Sequence, residues 1–535
     1  MMNRTLRLAD AWHLDADGDV TDFDGYSLAR LWRWLLWVRT LHPAFKFLTA
    51  LTHAVERYDP QVVHCEDSVP PLYREVLACA AGPLRFRVAD VASGGPRAVN
   101  PEWSLPTAAA STTKFLAGRL FNAALPRGDR RRDWLFSYYH SLEPVASAAR
   151  AHGAAISFAD FPLPRRLPGL MGKASIWLEP ASPPSPSADD EASIRSLTAR
   201  WDRLRVSPDF TTRFDWKGVS LRRAIEPILD GLVRTGSRPW AWTCRQLDRR
   251  WRSAPPALLV LPFPGPPYQQ ALQMAARRYG TPAAVILHGL PMSYSFPFEQ
   301  PQEGHFLVWG PEQEDHYRPH ALRAGFSVVQ AGNPYFDRYA GRRRERTGPI
   351  RRVLLLTHPV SWTTPLSSNL DPARHAVGAA EVLSRFPEIE ATLRLHPSES
   401  VDEYRRLIAD IAPRMRVVKG GPLDACLEEH DLIVGSFSTV LMEGMLLGLP
   451  VAALNLSRDE FPPPFDGRRS VPLLRSEDDL DALLRRALAD PAAFRRSVCS
   501  GHDEILERFA GPVDGKAASR VVESLEALTT KARIS

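Results

Sequence analysis

The sequence predicts an α/β protein with two parallel sheets, and three observations support this prediction. From residue 256 onward, short apolar runs alternate with segments of helical spacing. The runs are apolar throughout, which is typical of strands that helices cover on both faces. The length of 535 residues exceeds that of one ordinary domain. Two large α/β domains are therefore expected.

The first sheet is predicted from a βαβ unit. ALLVLPF (257–263) predicts a strand, YQQALQMAARRYG (268–280) a helix that stops at a glycine, and AAVILHG (283–289) a second strand. The apolar runs FLVWG (306–310) and SVVQAGNP (327–334) continue the pattern. This sheet is assigned to an N-terminal domain.

A basic, aperiodic stretch at 341–352 separates this sheet from a second one. The second sheet is predicted from strands at 353–359, 391–397, 416–420, 431–436 and 450–455, with helices near 372–386, 401–411 and 438–447. We expect domains at 1–340 and 350–490, a cleft near 335–352, and helices in 491–535, one of which (about 516–530) packs back toward the N-terminal domain.

The region before residue 256 is less regular. PQVVHCED (60–67) and FRVADVA (86–92) predict strands, and PASPPSPSADDEAS (180–193) predicts a linker or exposed loop. Residues 93–250 are interpreted as a long insertion in the N-terminal domain.

Composition excludes several classes of protein. The 67 basic and 61 acidic side chains leave a net charge of only +6, and no basic helix with interleaved aromatics indicates nucleic-acid binding. Five scattered cysteines indicate neither a disulfide framework nor a metal site. The chain shows no signal peptide and no long apolar span, so a cytoplasmic location is expected.

One segment could touch a membrane surface. Leu28–Leu51 mixes Trp32, Trp34 and Trp37 with arginines, a pattern that suits an interfacial helix on the inner membrane. A helix buried against a sheet explains the same residues. Both interpretations stay open on sequence.

Polar residues follow several predicted strands, and open parallel sheets bind ligands at that edge. His396, held at a strand end by Pro397, can present its imidazole to a phosphate oxygen. Capping of an ordinary turn is the alternative role. His288-Gly289 and Gly332-Asn333 follow two strands of the first sheet and are candidate cleft residues, since glycine permits close approach of a ligand.

The stretch after DLIV carries the strongest signal. Gly435, Ser436, Ser438 and Thr439 join a strand to a helix N-terminus, where backbone amides, hydroxyls and the helix dipole favour an anion. Glu443 lies one turn into that helix and could reach a ribose. An ordinary serine cap with a solvated glutamate is the alternative.

The order of these stretches resembles a known group. VILHG, FLVWG, AGNPYFD, RLHP and GSFSTVLMEGMLLGLPV together are similar to bacterial polysaccharide glycosyltransferases of GT-B fold, most of all the CMP-sialic acid and CMP-Kdo transferases of capsule and lipopolysaccharide synthesis. The resemblance covers about 256–490. It implies two Rossmann-like domains that face each other across a cleft. It also implies nucleotide-phosphate contacts from His396, Pro397, Ser438 and Thr439, and a ribose contact from Glu443.

The resemblance also implies a catalytic Asp or Glu in the N-terminal domain, within an Asp/Glu-Asp/Glu-Gly motif that follows an early strand. Glu66-Asp67-Ser68 is the nearest match, with serine in place of glycine, so Asp67 is the candidate base and Glu66 its neighbour. Asp24-Gly25 is the second choice, and a solvated loop pair is the ordinary explanation.

The expected function is transfer of a sugar from a nucleotide-activated donor, with a CMP-sugar favoured, to a surface-polysaccharide or glycolipid acceptor. The transfer would be inverting and would need neither metal nor cofactor. Three alternatives stay open: a CDP-polyol phosphotransferase with His288 as base, a nucleotide-sugar 2-epimerase, and a non-catalytic binding protein with the same frame.

Overall fold

A computed structural model describes most of the chain. The described residues are 1–66, 69–91, 133–137, 139–159, 175–177, 187–290, 304–357, 372–397, 399–457, 461, 463–468 and 470–534. Asp67 and Ser68, much of the predicted insertion and the first half of the predicted 180–193 linker lie outside them.

The C-terminal half contains a six-stranded sheet in which every pair of neighbouring strands is parallel. In spatial order its strands are Arg416–Lys419, Glu390–Leu395, Arg352–Leu356, Leu432–Gly435, Val451–Leu454 and Leu473–Leu474. The central strand pairs Val353 with Ala391 on one side and with Leu432 on the other. The carboxyl ends of the strands therefore share one edge.

Alternate residues of the central strand enter two different cores. Val353 and Leu355 pack in one buried cluster, whereas Leu354 and Leu356 pack in another. Side chains of a strand point alternately to the two faces of its sheet. Helices cover both faces here, which explains why the strand is apolar at each of its buried positions.

A second sheet has seven strands. In spatial order they are Phe326–Gln330, Gly304–Val308, Ala283–Ile286, Leu258–Leu261, Trp134–Ser137, Ile156–Ala159 and Ser175–Trp177. The pairs at both ends of this order are parallel. The prediction of an α/β protein with two sheets built from parallel strands is confirmed.

Helices connect and flank these strands. The α-helices before residue 260 are Met2–Ala11, Leu28–Leu36, His42–Tyr58, Pro71–Ala81, Glu143–Ala151, Ala188–Arg205, Pro208–Thr212, Arg222–Gly231 and Ser237–Ser253. Those after it are Pro267–Arg278, Pro311–Ala324, Pro372–Leu383, Val401–Ile408, Leu423–Glu428, Thr439–Leu446, Glu477–Ala489, Pro491–Cys499, His502–Ala510 and Ala517–Ile534. Shorter 3-10 and π segments are His140–Leu142, Pro334–Tyr339, Trp37–Leu41 and Leu232–Gly236.

Small two-stranded sheets complete the fold. Val62–Glu66 pairs in parallel with Arg87–Val91, so both strands predicted in this region are confirmed. The predicted loop at 180–193 is partly wrong. Ala188–Arg205 is a helix that begins with a capping box between Ser187 and Asp190, because serine three residues before aspartate satisfies the first helical amides.

The chain divides into two compact units. The first comprises Met1–Tyr138, Ala155–Leu259 and Pro264–Pro282, and the second comprises Tyr139–Ala154, Val260–Phe263 and Ala283–Ser535. The domain bounds expected from sequence stay a prediction.

The first unit buries the tryptophan-rich segment that suggested a membrane contact. Trp37 is fully buried and Trp32 nearly so, and the Trp37 indole donates a hydrogen bond to Thr5 Oγ1 at 2.9 Å. This favours the buried-helix interpretation of Leu28–Leu51. Among the described residues, no helix is long and apolar enough to cross a bilayer.

Candidate functional site

The candidate site begins where Leu432–Gly435 gives way to the helix Thr439–Leu446. Ser438 is the N-cap, and its Oγ accepts a hydrogen bond from the Val440 N–H at 3.2 Å. Gly435 permits close packing there, since a Cβ at this position would lie 2.8 Å from the Cβ of Leu356. The strand and its capped helix therefore form a compact turn at the carboxyl edge of the sheet.

A backbone segment from the other sheet meets this turn. The Leu290 N–H donates to Thr439 Oγ1 at 3.3 Å, and a Cβ added to Gly289 would lie 4.0 Å from the same oxygen. His288-Gly289 and Ser438-Thr439, singled out separately in the sequence, thus come together within the second unit. Ser436, in the same turn as Ser438, is buried.

The two hydroxyl groups at this helix N-terminus are arranged alike. Ser438 and Thr439 each accept one backbone N–H, and a hydroxyl that accepts in this way keeps its own hydrogen for donation. Neither donates to a described residue. Together with the positive end of the helix dipole, they can bind an oxyanion such as a phosphate.

His288 is fixed in one orientation. Its Nδ1 lies 2.9 Å from the Pro262 carbonyl oxygen, which can only accept, so Nδ1 carries the proton in the neutral ring and Nε2 keeps a lone pair. The ring also packs edge-on against Tyr139 and Phe263, at centroid distances of 5.2 and 5.7 Å. Burial lowers the pKa of His288 to about 4, against the raising effect of the Pro262 bond. The imidazole is therefore neutral at pH 7.

An aromatic group beside His288 was missed in the sequence. Tyr139 contacts the His140 ring at 4.5 Å between centroids, and His140 contacts Tyr335 at 5.8 Å. These residues come from segments far apart in the chain. The sequence contains no spacing or motif that would have joined them.

Glu443 occupies a buried position behind the helix N-terminus, where it is only 3% exposed. It accepts a short hydrogen bond from the Tyr339 hydroxyl. Burial raises the pKa of Glu443 to about 7, although the Tyr339 bond and the Arg338 charge oppose this shift. The Arg338 guanidinium lies 5.1 Å from the Tyr339 ring centroid and pairs with Asp424 at 3.1 Å. The carboxyl thus has a protein partner, and a ribose contact stays a prediction.

Gly332 and Asn333 have local structural roles. Asn333 Oδ1 accepts from the Tyr335 N–H at 3.0 Å and caps the 3-10 segment Pro334–Tyr339. Gly332 has φ +85°, and a Cβ there would lie 3.0 Å from the Cβ of Ala517. Packing and capping account for both residues, and their role in a cleft is a prediction only.

His396 follows the strand Glu390–Leu395, at the same edge as Ser438. One strand separates the two, which corresponds to about 10 Å across the sheet. The His396 backbone N–H donates to Glu399 Oε2 at 2.8 Å and to Thr357 Oγ1 at 3.0 Å, and Pro397 continues the turn. The imidazole is exposed, and partial desolvation lowers its pKa while Glu399 opposes the change.

The predicted base is only partly placed. Asp67 lies outside the described residues. Glu66 is the exposed last residue of Val62–Glu66, and its carbonyl accepts from Arg74 Nη2 at 3.0 Å. Asp24, the second choice, pairs with Arg245 at 3.1 Å in a tight turn. Within the described residues, no group of three His, Cys, Asp or Glu side chains could hold a metal ion.

No protein-family model and no curated protein matches this chain. Among solved structures, it is similar to a protein described as a UDP-N-acetylglucosamine 2-epimerase from Listeria monocytogenes, with 12% identity, a TM-score of 0.46, and 75% of this chain and 97% of that chain covered. A glycosyltransferase from Rickettsia africae ESF-5 is similar at 8% identity and a TM-score of 0.43 (74% and 99% covered). MurG from Acinetobacter baumannii is similar at 11% identity and a TM-score of 0.40 (74% and 99% covered).

Proposed function

We propose that this protein is a glycosyltransferase that uses a nucleotide-activated sugar. One observation carries the proposal: the Ser438 and Thr439 hydroxyls each accept a backbone N–H and keep a hydrogen to donate, at the N-terminus of Thr439–Leu446. Such a site suits the phosphate that leaves with the nucleotide.

The proposed reaction is a single displacement. The acceptor hydroxyl oxygen forms a bond to the anomeric carbon while the bond from that carbon to the nucleotide phosphate oxygen breaks. Asp67 takes the acceptor proton, with Glu66 beside it. His396 and the two hydroxyls stabilise the negative charge that develops on the departing phosphate. The proposed reaction inverts the configuration of the anomeric carbon, and none of its steps uses a metal ion.

The finer assignments rest on the sequence resemblance. A CMP-sugar is the proposed donor, and a surface polysaccharide or glycolipid is the proposed acceptor on the cytoplasmic side. A thermal-shift series with CMP, CDP, UDP and GDP tests the donor, and we expect CMP to raise the melting temperature most. A larger shift with UDP would contradict the CMP assignment alone, whereas no shift with any nucleotide would contradict the proposed function.

Repeating the thermal-shift series with a variant tests whether the nucleotide binds at Ser438 and Thr439. Ser438→Ala and Thr439→Val together remove both hydroxyl donors, and the nucleotide shift should then shrink. Thr529→Val serves as a matched control, because its hydroxyl bonds only locally within a distant helix. Release of free nucleotide from a CMP-sugar in the presence of acceptor would separate an enzyme from a binding protein.

A second candidate is a CDP-polyol phosphotransferase, and the geometry of His288 favours it. The Pro262 carbonyl holds Nδ1, and the lowered pKa keeps Nε2 free to accept a proton at neutral pH. In this reaction Nε2 would take the proton of an acceptor hydroxyl as its oxygen attacks phosphorus and CMP departs. Formation of CMP from a CDP-polyol, and not from a CMP-sugar, would favour this candidate.

A further inference from the structure

A large cavity lies within the first compact unit, and the site described above does not use it. Its volume is about 1160 Å³, and its walls are the helix Met2–Ala11, the turn that follows this helix, and part of segment 203–216. The volume is slightly above the usual range for sites that bind small molecules. The chemistry of the walls indicates what the cavity could bind.

Two arginines hold the walls together. Arg4 Nη2 donates to the Asp215 carbonyl at 2.7 Å, and its guanidinium lies 5.6 Å from the Trp216 ring centroid. Arg213 donates to the Ala11 carbonyl at 2.9 Å and also pairs with an aspartate. Both guanidinium groups are therefore bound to the framework of the cavity.

Two other arginines line the cavity without a carboxylate partner among the described residues. Arg7 and Arg203 are both exposed, and Arg7 uses only its Nε, which donates to the Asn3 carbonyl at 3.3 Å. The acidic residues in the lining are Asp209, which pairs with Arg213, and Asp15. Two guanidinium groups thus remain available for an external anion.

The same cavity is apolar between these charges. Leu8 and Leu204 are buried in its lining, whereas Leu14 in the lining is 37% exposed and the adjacent Val206 is 68% exposed. Leu14 lines the same cavity as Arg7 and Arg203, and Val206 follows Arg203 by three residues. A ligand that fits this cavity has an anionic part and an apolar part.

We propose that this cavity docks the protein onto a bilayer surface that contains anionic phospholipid. Arg7 and Arg203 bind the lipid phosphate, and Leu14 and Val206 contact the acyl region just below it. A soluble phosphate would engage the arginines but would leave the apolar residues in water. The phospholipid is therefore the occupant that satisfies both features, and this inference does not depend on the proposed enzymatic function.

Co-sedimentation of the full chain with vesicles tests the proposal. The probes are phosphatidylcholine vesicles with and without phosphatidylglycerol, and we expect binding only to the second kind, with weakening as salt rises. The variant Arg7→Glu with Arg203→Glu should reduce binding at least about 25-fold, because each arginine near an anionic surface contributes about fivefold. Leu14→Gln, which leaves the charge unchanged, should also reduce it.

A control with the same change of charge is present elsewhere in the chain. Arg406 is exposed and donates from Nε to the carbonyl four residues earlier at 3.3 Å, as Arg7 does, and Arg496 lies in the last turn of its helix, as Arg203 does. The variant Arg406→Glu with Arg496→Glu should bind vesicles like the wild type.

Several outcomes would overturn the proposal. They are failure of the wild type to bind either vesicle, equal binding to neutral vesicles, and an equal loss in the two charge-reversal variants. Displacement of the protein from vesicles by inorganic phosphate at constant ionic strength would instead identify a site for a soluble anion. Circular dichroism of each variant excludes loss of the fold as the cause of weaker binding.

Discussion

His288 and His396 follow parallel strands in the same kind of sequence, yet their surroundings differ. His288 is packed between aromatic rings, and the Pro262 carbonyl fixes the proton on Nδ1. His396 is exposed, and Glu399 binds its backbone N–H. The comparison shows that tertiary contacts, and not the local sequence, determine the protonation state and the exposure of a histidine at a strand end. The His288 ring keeps its Nε2 lone pair as an acceptor, whereas the role proposed for the exposed His396 ring is to donate a hydrogen bond to a phosphate.

The largest expected effect separates these two roles. If the proposed glycosyl transfer is correct, Asp67→Asn should lower turnover by about 10² to 10⁴, because it removes the carboxylate that accepts the acceptor proton. His288→Asn keeps a donor for the Pro262 carbonyl and removes the Nε2 base, so it should retain turnover within a few-fold. Steady-state kinetics of both variants check this.

The reverse pattern would reassign the base. Full turnover in Asp67→Asn with collapse in His288→Asn would make His288 the base and support the phosphotransferase. Nucleotide affinity should stay near the wild-type value in both variants, because neither side chain is proposed to bind the leaving phosphate.

The next effect concerns the influence of burial on protonation, which differs between the two histidines. Glu443 allows the same influence to be measured on a buried carboxyl group. Its pKa is about 7 in the fold against 4.5 for the ordinary value. As pH rises from 4.5 to 7 the unfolded chain releases this proton first, so the free energy of unfolding should fall by about 3 kcal/mol. The contribution is complete below pH 4.5 and lost above pH 7.

Glu443→Gln should remove this dependence, since an amide does not titrate but can still accept from Tyr339. Denaturant unfolding of wild type and variant from about pH 4 to about pH 8 gives the difference. Glu507→Gln, at an exposed mid-helix position, is the control and should leave the wild-type dependence intact. Parallel curves for wild type and Glu443→Gln would show that burial does not hold this proton.

A smaller effect tests the exposed histidine. His396→Ala should weaken nucleotide binding by about 1.5 to 3 kcal/mol, the range for hydrogen bonds to charged groups. Calorimetric titration with CMP measures it, with His53→Ala, an exposed histidine on the helix His42–Tyr58, as the comparison. Normal CMP affinity in His396→Ala would leave His396 without the proposed phosphate contact.

The smallest effect concerns the contact between the two sheets' strand ends. Thr439→Val removes the acceptor of the Leu290 N–H and should cost about 1 kcal/mol of unfolding free energy. Thr439→Ser keeps the hydroxyl and should cost less. If valine and serine cost the same, the lost methyl packing rather than the hydrogen bond determines the change.

Much of the fold could be predicted because its strands carry a local signal. Arg352–Leu356 and Leu432–Gly435 are apolar at each buried position, and the glycine and serines that follow the second strand mark its turn. The helix that Ser438 caps could also be predicted, because an N-cap serine bonds to a backbone N–H only two or three residues later in the sequence.

The partners of the site residues could not be predicted in this way. Tyr139 reaches His288, and Tyr339 reaches Glu443, from segments far away in sequence. These contacts depend on how strands and loops pack in the folded chain, and they produce no periodic pattern in the sequence. The capping role of Asn333 was also missed, although an Asn-Pro pair before an aromatic run is a turn signal.

The C-terminal segment has a consequence for how the protein is made. A Cβ at Gly310 would lie 2.3 Å from the Arg508 carbonyl oxygen, and Gln313 donates to the Phe509 carbonyl at 2.9 Å. Asp337 accepts from the first amides of Ala517–Ile534. Gly310, Gln313 and Asp337 therefore acquire these partners only after residues 508–518 have been synthesised. Until then the region around them should remain incompletely packed and accessible to a chaperone that binds nascent chains.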